Sequence, residues 1–252
     1  MNPASRLNDL LEFFNSASPN EAIKRAWEKY LGSASMSLTE DEVLDVIQAV
    51  LAEIRAMEAK LKEIGVPASL YTECVSQLRA GFSPTQLAAP WSAHREQMLK
   101  RATPLALQWA AWALSKFDEN EIDEESMASL RTSLAEQDKL LKETSLPAGL
   151  REMLERQTAA LRRALLLYKI QGVVPLRKVV SDSVGEFQTA PGELVAAVEA
   201  GEPKVKHVFK QGMALIGKVA EVADKGSKIA KFGNEMYELG TKTVSAIQGL
   251  LT

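Results

Sequence analysis

The chain has 252 residues, 46% of them apolar and 25% charged, with a formal net charge of −3. Those proportions are ordinary for a soluble globular protein with a real core, and no run of about 18 uncharged apolar residues exists, which excludes a conventional membrane span. The acidic balance, the scattered arginines and the lack of any recognised nucleic-acid motif exclude nucleic acid as the natural partner.

Cys74 is the only cysteine, so no intrachain disulfide can form. This fits a reducing setting, and the start Met1-Asn2-Pro3-Ala4-Ser5-Arg6 has no apolar core like that of a signal peptide. A cytoplasmic location is the expectation.

Helix signals then follow in chain order. Leu7, Leu10, Leu11 and Phe14 mark a short first helix. Ser18-Pro19-Asn20-Glu21 sets an N-cap, a first-turn proline and a capping-box glutamate before an apolar face of Ala22, Ile23, Ala26, Trp27, Tyr30 and Leu31, and Gly32 closes that helix. Thr39 with Glu42 makes a second capping box. It opens a long helix with the stripe Val43, Ile47, Val50, Ile54, Leu61 and Ile64, ending at Gly65-Val66-Pro67. Cys74 lies four residues after Leu70 and four before Leu78, which reads as a core position rather than a nucleophile.

Thr103-Pro104 opens the most hydrophobic helix. Leu105, Trp109 and Trp112 share one face, while Leu107, Ala110, Leu114 and Phe117 occupy another. A helix apolar on two faces is expected at the buried centre of a bundle. Without interleaved arginines, the tryptophans do not read as a stacking platform for nucleobases. The acidic run Asp118 to Glu125 fails the EF-hand pattern: Ile122 takes a ligand position, Asp123 replaces the glycine and Ser129 the closing glutamate. It reads as a solvated loop whose acids favour the next helix N-terminus.

An internal echo links the two halves. Leu61-Lys62-Glu63-Ile64-Gly65-Val66-Pro67-Ala68-Ser69-Leu70 recurs as Leu141-Lys142-Glu143-Thr144-Ser145-Leu146-Pro147-Ala148-Gly149-Leu150, six of ten residues being identical at an offset of 80. Ile47 and Met127, Val50 and Leu130, and Ile54 and Leu134 match upstream at the same offset. Each copy predicts a helix, a proline turn and a second helix. Two such hairpins packed together make a bundle. Val173 to Val180 contains Pro175 and reads as a helix start, and period-two alternation is missing over any useful length. The expected fold is all-α.

From Val205 to Leu251 one apolar stripe keeps a seven-residue register. Its a row is Val205, Gly212, Val219, Gly226, Gly233, Gly240 and Ile247; its d row is Val208, Leu215, Val222, Ile229, Met236, Thr243 and Leu250. Phe209, Ile216, Ala223, Ala230, Tyr237, Val244 and Leu251 form the e row, and no charge enters any of the three. Glycine costs a helix about 1 kcal/mol against alanine. Four on one seam therefore imply close approach of another helix or of a membrane. Residues 204–252 carry eight lysines and four acids, a balance of +4, which leaves −7 on the first 203 residues.

The catalytic and ligand motifs are negative. Gly212 to Val219 mimics a phosphate loop, but Val219 stands where magnesium needs a hydroxyl and no strand precedes it. His94 and His207 lie far apart with no zinc pattern, and no Gly-x-Ser-x-Gly elbow is present. No catalytic residue, cofactor, metal or small-molecule substrate is expected, and the chain is not expected to be an enzyme.

The sequence thus predicts an N-terminal helical arm (1–36), a helical body with two related hairpins (37–188) and a C-terminal amphipathic segment (189–252). The expected function is assembly or adaptor work through the seam Val205, Val208, Gly212, Leu215, Val219, Val222, Gly226, Ile229, Gly233, Met236, Gly240, Ile247 and Leu250, against a protein partner or a second copy. Paired charges at the g positions are missing, which speaks against a simple parallel dimer. The alternative is a membrane-active effector whose lysine-bearing segment lies on an anionic bilayer surface, although Glu221, Asp224, Glu235 and Glu238 count against it.

Overall fold

The computed structural model describes residues 1–18, 22–32, 38–83, 102–189 and 202–223, together with residues 196, 198 and 200. Among the described residues there are nine α-helices and no strand, so the fold is all-α. The chain divides into two compact units: Met1–Glu121 with Lys169–Gly172, and Ile122–Tyr168 with Val173–Thr252.

In the first unit, helix α1 (Pro3–Ser16) starts on Asn2, whose side chain accepts the Ser5 amide at 3.1 Å. Its periodic residues Leu7, Leu10, Leu11 and Phe14 are all buried. Helix α2 (Ile23–Tyr30) begins later than the Ser18-Pro19 signal implies: Ala22 precedes it in extended conformation and caps it with no side-chain bond. Pro19 to Glu21 lie outside the described residues. Gly32 ends α2 as expected, at φ +74°. Phe14, Trp27 and Phe82 pack ring against ring, with centroids 4.7 to 5.9 Å apart, and form an aromatic core.

Helix α3 (Glu40–Glu63) has the predicted capping box. The Glu42 amide donates to Thr39 Oγ1 at 3.2 Å, and the Thr39 amide to Glu42 Oε2 at 2.8 Å. It stops in a Schellman turn: Gly65 takes φ +78°, Val66 N–H reaches the Leu61 carbonyl and Gly65 N–H that of Lys62. A short 3₁₀ turn (Ala68–Leu70) leads into α4 (Thr72–Gly81), which buries Cys74, Val75 and Leu78.

Helix α5 (Ala102–Ala113) corrects the sequence expectation. Leu107, Ala110 and, just beyond the helix, Leu114 are buried, and the helix packs chiefly on α1 and α4. The opposite face is not buried: Leu105 is 54% exposed, Trp109 36% and Trp112 75%. Two apolar faces do not here mark a central helix, because among the described residues only the Leu107 and Ala110 face is buried.

One charged group sits inside this unit. Arg6 and Glu53 are each 5% exposed; Arg6 Nε donates to Glu53 Oε1 at 2.7 Å and Nη1 to Glu119 Oε2 at 3.0 Å. Gly172 (φ +60°) closes over them, since a Cβ there would stand 2.6 Å from both Arg6 Nη1 and Glu119 Oε2. Burial pushes the Glu53 carboxyl above its ordinary range, and the Arg6 charge and hydrogen bond pull it back.

The second unit contains α6 (Glu124–Glu143), most of α7 (Ala148–Gln171), α8 (Val174–Thr189) and α9 (Pro203–Ala223). Asp123 caps α6 by accepting the Ser126 amide at 2.7 Å, with Glu124 and Glu125 in the first turn, so the acidic run does favour a helix start. The echo breaks at the end of α6, where Ser145 replaces Gly65 and the chain leaves the helix in extended form at Thr144. Arg151 of α7 satisfies the freed carbonyls instead, donating to Leu141 O at 2.9 Å and Thr144 O at 2.7 Å. The two copies of the echo thus fall in different units, joined to their neighbours by different terminal chemistry.

Replacing Arg6 by Met should leave the Glu53 carboxylate buried without its counter-charge, costing about 3–5 kcal/mol at neutral pH. The folded pKa of Glu53 then rises further above its unfolded value. The penalty should therefore be smallest near pH 4 and grow as pH climbs through that raised value. Urea unfolding of Arg6→Met at pH 5 and pH 8 checks it; an equal loss at both values would refute the ionic account.

Candidate interaction surfaces

Helix α9 carries the first three heptads of the predicted seam. Val205, Val208, Gly212, Leu215 and Val219 are buried, as are Phe209, Ile216 and Ala223 of the e row, while Val222 is half-buried. The outward face holds Lys204, Lys206, His207 and Lys210, all exposed. The period-3.5 stripe has thus sorted the helix into one dry and one charged side.

What the dry side meets is its own unit. Val205, Val208, Phe209 and Met213 join a cluster with Leu141, Leu150, Met153 and Leu154. Leu215, Ile216, Val219 and Ala220 join a second one with Met127, Leu130, Leu161, Leu176 and Val180. Gly212 lies where α9 approaches most closely: a Cβ would stand 2.8 Å from Leu154 Cδ2 and 3.2 Å from Gln137 Nε2. The close approach that glycine on the seam implied is present at this position, and it is intramolecular. Gly226, Ile229, Gly233, Met236, Gly240, Ile247 and Leu250 lie outside the described residues.

The resemblance of Gly212–Lys218 to a phosphate loop has no structural counterpart, since these residues continue one helix. Lys218 donates to Ser129 Oγ at 2.6 Å and to Ser133 Oγ at 3.1 Å, which anchors α9 on α6. Cys74 is buried, its thiol pushed up to about 12 by desolvation and lying 3.8 Å from the Thr103 carbonyl. Such a thiol stays protonated at neutral pH and is a core residue. His94 lies outside the described residues. Among the described residues no cluster of His, Cys, Asp or Glu has the geometry to hold a metal ion, and no helix is long and apolar enough to cross a membrane.

The surface that the sequence placed inside is the α5 ridge. Leu105, Trp109 and Trp112 stand at i, i+4 and i+7, one above another on the exposed face. A signal for it was available: residues 102–115 contain no charged side chain. That signal does not distinguish a face buried by the fold from one left open.

No protein-family model matches the chain, and neither the curated proteins nor the solved structures contain a match to it.

If α9 is a packed core helix, overpacking at Gly212 must unfold its unit rather than break an assembly. Gly212→Leu should cost about 1–3 kcal/mol or more. Gly212→Ala should change little, because only the ends of flexible side chains must shift and alanine favours the helix by about 1 kcal/mol. A chain ended before Pro203 should lose the cooperative unfolding of the second unit. Circular dichroism melts check all three; an unchanged melt for Gly212→Leu would show that α9 is not packed there.

Proposed function

We propose that this protein is a non-enzymatic helical assembly protein that associates with a second copy of itself. The supporting observation is the open ridge of Leu105, Trp109 and Trp112 on α5. Tryptophan contributes large apolar area with a polar N–H at its edge, which is why it dominates the centre of interfaces.

The choice of a second copy rests on charge. In a twofold contact each residue near the axis meets its own duplicate, so a charge there faces a like charge. Residues 102–115 carry none, and the ridge therefore meets its duplicate without repulsion. The stripe up to Ala223 is engaged within its own unit, which leaves the α5 ridge as the support for association. The same engagement weighs against the membrane-active alternative: the apolar face of α9 is committed to Leu154, Leu161 and their neighbours, and the outward face is polar, with Lys204, Lys206, His207, Lys210, Gln211 and Glu221 exposed.

Sedimentation of the intact chain across concentration should give a dimer. Trp112→Ala removes an exposed side chain and should leave the melt unchanged while weakening dimerisation by about 2 kcal/mol, roughly thirtyfold. A wild-type chain that stays monomeric to about 100 µM, or a dimer indifferent to Trp112→Ala and Trp109→Ala together, would remove this reading.

A further inference from the structure

The core of the second unit contains a polar hole. Gln137 of α6 and Gln157 of α7 are 2% and 6% exposed, and with Thr158 they line a cavity of about 10 Å³ closed by Leu154, Leu161, Gly212, Leu215 and Ile216. Both amides have a determined orientation. Gln137 Nε2 donates to the Val208 carbonyl at 3.4 Å, and Gln157 Nε2 to Glu186 Oε2 at 3.2 Å, Glu186 being also paired with Arg156. Flipping either amide would set oxygen against oxygen. Yet neither Gln137 Oε1 nor Gln157 Oε1 receives a hydrogen bond from a protein donor among the described residues. The nearby Thr158 hydroxyl is spent on Leu154 O at 2.7 Å.

Two buried, unpaired acceptors on residues that line one small cavity call for a donor, and a water has two hydrogens to give. One water needs roughly 10–15 Å³ by this measure and two to four polar partners. We propose that this cavity is a built water site, one molecule bridging Gln137 Oε1 and Gln157 Oε1, and that the hydrated pair sets the register of α9. A heptad stripe is nearly indifferent to sliding by seven residues. Moving α9 by one heptad would bring Val205 or Val219 to the place of Gly212. Either side chain would occupy the cavity, expel the water and leave two buried oxygens without donors. Gly212 leaves room that the branched side chain of valine does not, as its closeness to Leu154 and Gln137 indicates. One polar defect thus selects one register from a repeating apolar pattern.

The wild-type chain tests the site directly. A crystal structure at about 1.8 Å, or cross-relaxation between water and the Gln137 and Gln157 side-chain amides, should show an ordered molecule between the two oxygens. A dry cavity, or a direct bond between the two amides, would overturn the proposal. Variants test the coupling. Gln137→Met or Gln157→Met alone should lower the folding equilibrium constant about tenfold, by stranding the other oxygen. Gln137→Met with Gln157→Met should lose less than either single change, while the α9 amides show more than one set of resonances. Additive losses, or one sharp set of α9 resonances in the double variant, would refute the role in register.

Discussion

The buried charge of Arg6 is the constraint to which the first unit conforms. A guanidinium that is 5% exposed must be surrounded by acceptors, and the chain brings them from distant points: Glu53 on α3, Glu119 after α5 and the Met1 carbonyl. Gly172 supplies the cover, in a left-handed conformation and with no side chain to intrude. Such a group adds little net stability, because desolvating two charges offsets most of their attraction. Its effect is on arrangement. Any other placing of α1 against α3 leaves a charge buried without a partner. The further bonds from Asn2 to the Ala111 carbonyl and Asp118 extend the same constraint to the end of α5. With its Leu107 and Ala110 face held against α1 in this way, α5 has only its tryptophan face left to present outward.

The second unit solves a similar problem without net charge. Its buried polar groups are amides and hydroxyls, and its charged groups fasten the helices nearer the surface, Lys218 to Ser129 and Ser133, Arg177 to the Ala223 carbonyl, Arg156 to Glu186 and Arg162 to Asp138. Neutral groups cost less to bury, so the unit can place them beneath a helix seam instead of at a junction of helix ends. The 80-residue echo shows how local chemistry is exchanged while apolar spacing is kept. Ile47, Val50 and Ile54 and their counterparts Met127, Leu130 and Leu134 are all buried, yet glycine ends one helix and an arginine from the following helix ends the other.

Those parts of the fold that depend on near neighbours in the chain were legible in advance. The Thr39–Glu42 box, the turns at Gly32 and Gly65, the acids ahead of α6 and the start of α8 around Pro175 each involve groups within a few residues of one another. The main exceptions depend on distant groups. Glu53 carries no local sign of burial, since its partner Arg6 is 47 residues away. The α5 helix looked central because periodicity records which faces are apolar and not which of them find neighbours. Ala22 at the start of α2 is a failure of another kind: a strong local cap signal at Ser18 did not fix where the helix begins.

The C-terminal stripe makes the limit of pattern reading explicit. A 3.5-residue period with glycine in one row states that a helix buries one face and approaches something closely. Both statements hold for α9, with Gly212 against Leu154. The pattern carries no term for whether the opposing surface belongs to the same chain. The missing paired charges at the g positions bear on that question, since a helix that must choose a partner in solution marks its flanks, whereas one delivered to its site by the chain itself has no need to. Gln211 is exposed and Lys218 is turned to serines of α6, so neither flank position in α9 is arranged for a second chain. The ridge of α5 differs on each count. It is short, uncharged and exposed, the features on which the proposed self-association draws.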